Sequence, residues 1–146
     1  MMTLTKTWAL DDRLARDTML MAKHDLWELR LVNDARWPWV MIVPKIPDVC
    51  ELEDLPAGMF QALFEEAALA AKSLKAMDRA DLPDLTKTNI ATIGNVVRQF
   101  HLHIVARHER DPNWPAPVWG FETAVPYLEE EAHSFIRSFL DARKAL

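Results

Sequence analysis

The sequence lacks any long apolar segment. It contains no run of about 18 consecutive apolar residues, the length that a membrane-spanning helix needs. Residues 1–13 have no apolar stretch behind their lysine of the kind that an export signal carries. We therefore expect a protein that neither spans a membrane nor is exported, and we place it in the cytoplasm.

Cysteine and blocks of positive charge are also scarce. Cys50 is the only cysteine, which excludes an internal disulfide, and no ligand set around it indicates a zinc site. The formal net charge is -5, and no cluster of lysine and arginine is long enough to follow a phosphate backbone. We expect no nucleic-acid partner. A small anionic ligand stays compatible with this charge, because local N–H groups can bind it.

The sequence does contain enough apolar residues for one buried core. Half of its 146 residues are hydrophobic, which predicts a single domain over residues 1–146. Periodicity and turn signals predict, in order, a helix over 11–23, strands over 26–32 and 39–43, a helix over 56–78, strands over 86–93 and 99–107, and a closing helix from 128. Each pair of strands is predicted to form a hairpin, the second through a short Gly94-Asn95 connection.

This order, α-β-β-α-β-β-α, contains hairpins rather than crossovers. We therefore predict an α+β fold with an antiparallel sheet of about five strands and helices packed on one side.

The last predicted strand carries the residues that can do chemistry. Because side chains alternate along a strand, Gln99, His101 and His103 share one side, turned away from the core, at spacings of about 7 Å. Imidazole acts near neutral pH as nucleophile, acid or base. Two imidazoles on one side of a strand can divide these roles around a phosphate.

The residues alone leave two other interpretations open. An H-x-H pair also occurs as two surface histidines or as two metal ligands, and zinc would need a third and usually a fourth ligand. The remaining histidines stand at no telling spacing, and we expect them to be solvated: His24, His108 and His133. We predict no metal and no cofactor.

Residues 89–103 (NIATIGNVVRQFHLH) resemble the signature of the histidine triad (HIT) superfamily, in which an Asn-bearing strand leads through a Gly-Gln turn into His-x-His-x-His. Residues 31–44 (LVNDARWPWVMIVP) resemble the family's ribose-contacting Asn or Asp followed by a Pro-terminated strand. Arg107 and the Trp114-Pro115 pair match the family's arginine and Trp-Pro tail. Two positions depart from the pattern, since Gln99 replaces the first histidine and Asn95 replaces the glutamine.

This resemblance implies hydrolysis or transfer at the α-phosphate of a purine nucleotide derivative, such as a dinucleoside polyphosphate or a nucleoside phosphoramidate, by a homodimer. His101 would be the nucleophile that forms a nucleotidyl-histidine intermediate, and His103 would contact the phosphate or the leaving group. Gln99 would serve by hydrogen bonding. One alternative is a nucleotide-binding or sensing protein with little turnover, and another is an H-x-H metal protein.

Four further residues are candidates for substrate binding. Asn89 and Asn95 would bind phosphate or ribose, or would satisfy a hairpin turn. Asn33 and Asp34 would contact the ribose by the same family match, or would likewise satisfy a turn. Trp114 and Trp119 would either wall a base pocket or bury a surface segment.

Overall fold

Five strands form one antiparallel sheet in the computed structural model, which describes residues 6–82 and 84–146. The strands are β1 (Thr18–Lys23), β2 (Trp27–Val32), β3 (Trp39–Pro44), β4 (Lys87–Ala91) and β5 (Leu102–Arg107), in the spatial order β1-β2-β3-β5-β4. The helices are α1 (Asp12–Asp17), α2 (Met59–Ala76) and α3 (Glu129–Lys144), with a 3₁₀ turn at Leu52–Asp54. The predicted α+β class, the antiparallel sheet and its number of strands are confirmed.

The prediction of one helix over 11–23 is wrong. Asp11 caps a short α1 by accepting a hydrogen bond from the backbone N–H of Arg13, and the chain then continues as β1. Residues 18–23 contain good helix formers, but they pair with β2 along its length and bury Thr18 and Met21. Helix propensity is weak, and the hydrogen bonds and packing of an edge strand override it here.

The connection between β4 and β5 is longer than the sequence predicted. The two strands pair in antiparallel register, for example Ile90 with Ile104. Because β4 ends at Ala91 and β5 begins at Leu102, residues 92–101 lie between them. Phe100 donates its backbone N–H to Val49 O instead of extending the ladder with β4. His101 therefore stands at the end of a loop, directly before β5.

One side of the sheet packs against α2 and α3. The apolar residues of this core alternate along the central strands, as in Val40 and Ile42 of β3 and Leu102 and Ile104 of β5. From the helices, apolar side chains at helical spacing fill the space above them: Leu63, Ala67, Leu74, Phe135 and Phe139. No helix in the described residues is long and apolar enough to cross a membrane.

The opposite side of the sheet is also covered. Leu14 of α1 packs on Met41 and Val43 of β3, and a second cluster joins Trp39 to Val118 of the segment that precedes α3. The N-terminal segment that contains α1 and the segment before α3 thus cover this side of the sheet, and a strip of the sheet lies between them. The two histidines lie in this strip.

Candidate active site

His101 and His103 form a close pair on the covered side of the sheet. Their ring centroids are 4.9 Å apart and their planes are inclined by 77°, so that the edge of one ring meets the face of the other. Each residue is only 5% exposed. The predicted side of the strand is therefore turned away from the helical core, as expected, but it is not open to solvent.

The tautomer of neutral His101 follows from one hydrogen bond. Its Nδ1 lies 2.7 Å from the backbone carbonyl oxygen of Gln99. A carbonyl oxygen only accepts, so Nδ1 carries the proton and donates it. The lone pair of the neutral ring is then on Nε2, which has no hydrogen-bond partner within residues 6–82 and 84–146. This is the form of imidazole that can attack an electrophile.

His103 is held in the opposite tautomer, with both ring nitrogens occupied. Its Nε2 donates to Ile93 O over 3.1 Å, and its Nδ1 accepts from Trp39 Nε1–H over 3.0 Å. Burial, together with the charge that His101 can carry, lowers the pKa of His103 to about 4. A second proton on Nδ1 would also face the Trp39 donor. His103 is thus a neutral ring near neutral pH, with no free nitrogen for a proton transfer.

The loop before β5 approaches His101 so closely that it needs a glycine. A Cβ added at Gly94 would lie 2.8 Å from Val97 O and 3.0 Å from Cε1 of His101. Such contacts are not tolerated without movement of the backbone or of the imidazole. Gly94 therefore lets the loop close over the edge of the His101 ring.

A cavity of about 440 Å³ opens onto both histidines and this loop, and its walls include Gly94, Asn95 and Val97. A second cavity, of about 470 Å³, adjoins it beside the loop after β2. We call them the histidine cavity and the side cavity. Four residues line both cavities and form the partition between them: Asp17, Val32, Trp39 and Trp119. The two indoles are the aromatic part of this partition.

Of the two candidate tryptophans near the tail, Trp119 belongs to the site. Its ring packs edge-to-face on Trp39, with centroids 5.7 Å apart, and on His103, with centroids 5.4 Å apart. Trp114 instead lies against the guanidinium of Arg107, which is 5.6 Å from its ring centroid.

The side chain of Gln99 is directed to the N-terminal segment. Its Oε1 accepts from the backbone N–H of Asp11 and its amide nitrogen donates to Ala9 O, both over 2.8 Å. Its contact with His101 is made by the backbone carbonyl alone. The amide that stands in the position of the first histidine thus anchors the segment that leads into α1.

The four predicted binding residues have different surroundings. Asn95 lines the histidine cavity. Asn89 is on β4 and accepts a hydrogen bond from the buried guanidinium of Arg107, which also pairs with Asp111. Asn33 and Asp34 border the side cavity, but their side-chain oxygens accept backbone N–H groups of Tyr127 and Val125. The structure therefore brings Asn95 close to the histidines. The side chains of Asn33, Asp34 and Asn89 are instead hydrogen-bonded to other parts of the chain.

Three contributors to the site were missed from the sequence. Trp39 was assigned only to a strand, Gly94 only to a turn, and Arg36, which lines the side cavity, to no role at all. The W-P-W sequence before β3 offered a signal for Trp39, because a tryptophan at the start of a strand can present its N–H to a neighbour. Nothing local indicated which neighbour that would be. No cluster of three or more potential metal ligands occurs in the part of the chain that the structure describes.

The chain has similar proteins of known structure. The sequence profile of the HIT domain matches residues 13–110. A histidine triad protein from Sinorhizobium meliloti is 42% identical, with a TM-score of 0.85, over 93% of this chain and 97% of that one. A histidine triad protein from Marinobacter aquaeolei is 35% identical, with a TM-score of 0.86, over 97% and 99% of the two chains.

A more distant likeness concerns the fold alone. A hypothetical histidine triad nucleotide-binding protein from Sulfolobus tokodaii is 14% identical, with a TM-score of 0.65, over 88% of this chain and 85% of that one. A comparison with the curated proteins found no match. The match to the HIT domain covers most of the chain, and the two bacterial proteins match nearly all of it at high identity. The chain belongs to the histidine triad (HIT) family.

Proposed function

We propose that this chain is a nucleotide hydrolase or nucleotidyl transferase that acts at the α-phosphate of a purine nucleotide derivative through a nucleotidyl-histidine intermediate on His101. The observation that carries the proposal is the hydrogen bond from His101 Nδ1–H to Gln99 O. It leaves the Nε2 lone pair available in a ring that borders a cavity. The family resemblance supplies the substrate class, and the related Sulfolobus tokodaii protein carries nucleotide binding in its name.

The reaction proceeds in two displacements. In the first, the Nε2 lone pair of His101 attacks the α-phosphorus, an N–P bond forms, and the bond from phosphorus to the leaving group breaks with its electron pair. The leaving group takes up a proton from solvent. The ring then bears a positive charge, which the Gln99 carbonyl stabilises through the Nδ1–H bond. In the second, water attacks the same phosphorus, loses a proton to solvent, and displaces Nε2, which regains its lone pair.

The neighbouring groups divide the remaining tasks. His103 holds the ring of His101 in place through their edge-to-face contact. Asn95 and the loop around Gly94 line the histidine cavity and would contact the phosphate there. The nucleoside would lie across the indole partition toward the side cavity, where aromatic faces suit a purine ring.

A second candidate function, nucleotide binding with little turnover, is favoured by a different observation. The Gln99 side chain is bonded to the N-terminal segment and His103 has no free nitrogen. His101 is then left without a neighbouring imidazole that could move a proton. The two candidates differ in whether a covalent intermediate forms.

The deciding experiment measures turnover and covalent labelling together. The wild-type protein and the His101→Ala and His133→Ala variants are incubated with adenosine phosphoramidate and with diadenosine polyphosphates. Samples are quenched with alkali, because acid hydrolyses the N–P bond of a nucleotidyl-histidine, and are then analysed by mass. We expect an adenylyl adduct on the wild type and on His133→Ala, whose histidine is exposed on α3.

In His101→Ala the adduct should be absent and kcat should fall at least about a thousandfold, while AMP still binds. A His101→Ala variant that retained about a tenth of the wild-type kcat would contradict the covalent mechanism. AMP binding without adduct or turnover in the wild type would favour the second candidate.

We also propose that the protein acts in the cytoplasm as a homodimer. The single cysteine suits a reducing compartment, and the family resemblance supplies the oligomeric state. Sedimentation velocity tests this: the dimer has twice the 16.8 kDa mass of the chain, and a species of monomer mass across the concentration range would contradict it.

A further inference from the structure

The loop after β2 is bonded at four points to the segment of residues 118–127, which we call the strap. The Ala35 N–H donates to Val125 O over 2.6 Å, and the guanidinium of Arg36 donates to Phe121 O over 2.6 Å. In the reverse direction, the Val125 N–H donates to Asp34 and the Tyr127 N–H donates to Asn33. Residues 121–127 of the strap are therefore hydrogen-bonded to one short loop at both ends.

Both carboxylate oxygens of Asp34 already accept hydrogen bonds from the protein. Its Oδ1 accepts from the backbone N–H groups of Arg36 and Val125 and from Arg36 Nε, and its Oδ2 accepts from the terminal nitrogen of Arg36. The side chain is only 4% exposed. A ribose hydroxyl would have to compete with a charged, two-point arginine contact that is already shielded from water.

The guanidinium of Arg36 also lies over two aromatic rings, one on each side of the contact between the loop and the strap. Its central carbon lies 4.6 Å from the ring centroid of Trp37 and 5.7 Å from that of Phe121. Phe121 in turn meets Trp37 edge-to-face, with centroids 6.2 Å apart. Two residues before Phe121, the strap carries Trp119.

Trp119 is the strap residue that reaches the histidines. Its indole contacts both Trp39 and His103 and separates the histidine cavity from the side cavity. Trp39 and Trp119 thus pack on His103 together with the His101 ring. A change in the position of the strap would move one of them.

We infer that Asn33, Asp34 and Arg36 are positioning residues that hold the strap, and with it Trp119, in place as the wall of the nucleotide site, instead of contacting the ribose. Trp119 is accordingly a specificity-determining residue, because its indole limits what fits between the two cavities. The inference rests on the proposed function for its nucleotide part. The positioning of the strap by the loop does not depend on any bound ligand.

The structural part is tested by backbone amide hydrogen exchange and by the indole N–H resonances of ligand-free protein. In Asp34→Ala, exchange at Val125 and Tyr127 should accelerate about tenfold or more, and the Trp119 indole resonance should shift. The control is Glu65→Ala, whose exposed carboxylate accepts a hydrogen bond from Gln61 within α2. Unchanged exchange in Asp34→Ala would overturn the inference.

A pair of variants at Asn33 covers the case in which Asp34→Ala does not fold. Asn33→Ala removes the acceptor for the Tyr127 N–H, and Asn33→Asp keeps an acceptor there. We expect faster exchange at Tyr127 in the first and near-wild-type exchange in the second. Equal exchange in both variants would contradict the positioning role.

The nucleotide part compares AMP with its 2′,3′-dideoxy analogue by calorimetry. If the loop acts through the strap, Asp34→Ala or Asn33→Ala weakens both ligands by the same factor, about tenfold. If the loop binds the ribose, the variants weaken AMP and leave the dideoxy analogue unaffected, which would overturn the inference. Failure of wild-type protein to bind either nucleotide would count against the proposed function, while the exchange result would still decide whether the loop holds the strap.

Discussion

Single hydrogen bonds decide the chemical state of each histidine. His101 and His103 are two residues apart and share one side of the chain, but one donates from Nδ1 and the other from Nε2. A backbone carbonyl selects the tautomer in each case, since it only accepts. The pair is therefore unequal, which supports the proposed division into attack by His101 and support by His103.

The neutral state of His103 predicts a dependence of stability on pH. The pKa of this ring lies at about 4 in the folded protein, against an ordinary value of 6.5. Between these values the unfolded chain binds a proton that the folded chain does not, so stability is lost as pH falls through this window. As the pH falls through this window, protonation of His103 in the unfolded chain should lower the free energy of unfolding by about 1–3 kcal/mol.

Urea unfolding of wild type and His103→Gln at about pH 7 and about pH 4.5 measures this contribution. Glutamine keeps an amide donor and acceptor but does not titrate, so the variant should lose less stability on acidification than the wild type does. His133→Gln, at an exposed position on α3, should behave as the wild type. Equal losses in all three proteins would mean that His103 titrates normally.

Gly94 predicts a second effect of a single residue. Gly94→Ala places a methyl group 2.8 Å from Val97 O and 3.0 Å from the His101 ring, so the loop or the imidazole must move. We expect kcat for the adenosine substrates to fall about tenfold or more, with a loss of stability of about 1–3 kcal/mol.

Gly58→Ala is the matched control, because a Cβ at Gly58 has no atom within 4 Å. It should leave kcat unchanged. If Gly94→Ala were as active as Gly58→Ala, the close approach of the loop would have no part in placing His101.

At the scale of elements, β5 is buried on both sides, which its alternating sequence did not indicate. Leu102 and Ile104 pack under the helices, while His103 and Val105 pack under the segment before α3. The candidate catalytic residues and the core residues therefore alternate along β5, but neither set is solvated. Substitution of His103 would cost stability as well as activity.

The pairing of β4 with β5 offers a direct comparison of buried and exposed isoleucines. Ile104 and Ile90 are partners in the ladder, and they are 0% and 44% exposed. Ile104→Ala should lower the free energy of unfolding by about 2–5 kcal/mol through the cavity it leaves. Ile90→Ala should cost less than about 1 kcal/mol.

Denaturant unfolding of the two variants measures the difference. Because both substitutions remove the same atoms from neighbouring strands, differences in β propensity largely cancel. Similar costs for the two would show that the edge strand β4 is covered in solution by something that buries Ile90.

For the whole molecule, the contact between α2 and α3 joins the C-terminal helix to the middle of the chain. Arg143 makes a two-point pair with Glu66, whose side chain is 5% exposed, over 2.6 and 2.7 Å. Arg143→Ala should lower the free energy of unfolding by about 1–3 kcal/mol, because the Glu66 carboxylate then stays buried without its partner.

The Glu66→Gln/Arg143→Ala double variant should recover part of this loss, since an amide is less costly to bury than an unpaired carboxylate. Arg137→Ala, at an exposed position of the same helix, is the control and should be close to neutral. An equal cost for Arg137→Ala and Arg143→Ala, measured by urea unfolding, would contradict the role of the pair.

The family, the α+β class and the position of the histidines followed from local sequence. The 3.6-residue period of α2 and the alternation in residues 99–107 depend on neighbours a few positions apart, so both patterns can be recognised from the sequence alone. The same locality misled the prediction of α1, because the partner that makes residues 18–23 a strand is β2.

The tertiary structure alone decided the state of the site. The tautomer of His103 depends on Trp39, 64 positions away, and the anchoring of Gln99 depends on Ala9 and Asp11, about 90 positions away. The oxygens of Asn33 and Asp34 are occupied by a strap more than 80 positions further along. A sequence pattern specifies which polar groups exist, and burial then forces each of them to find a partner, but only the folded chain determines which partners are within reach.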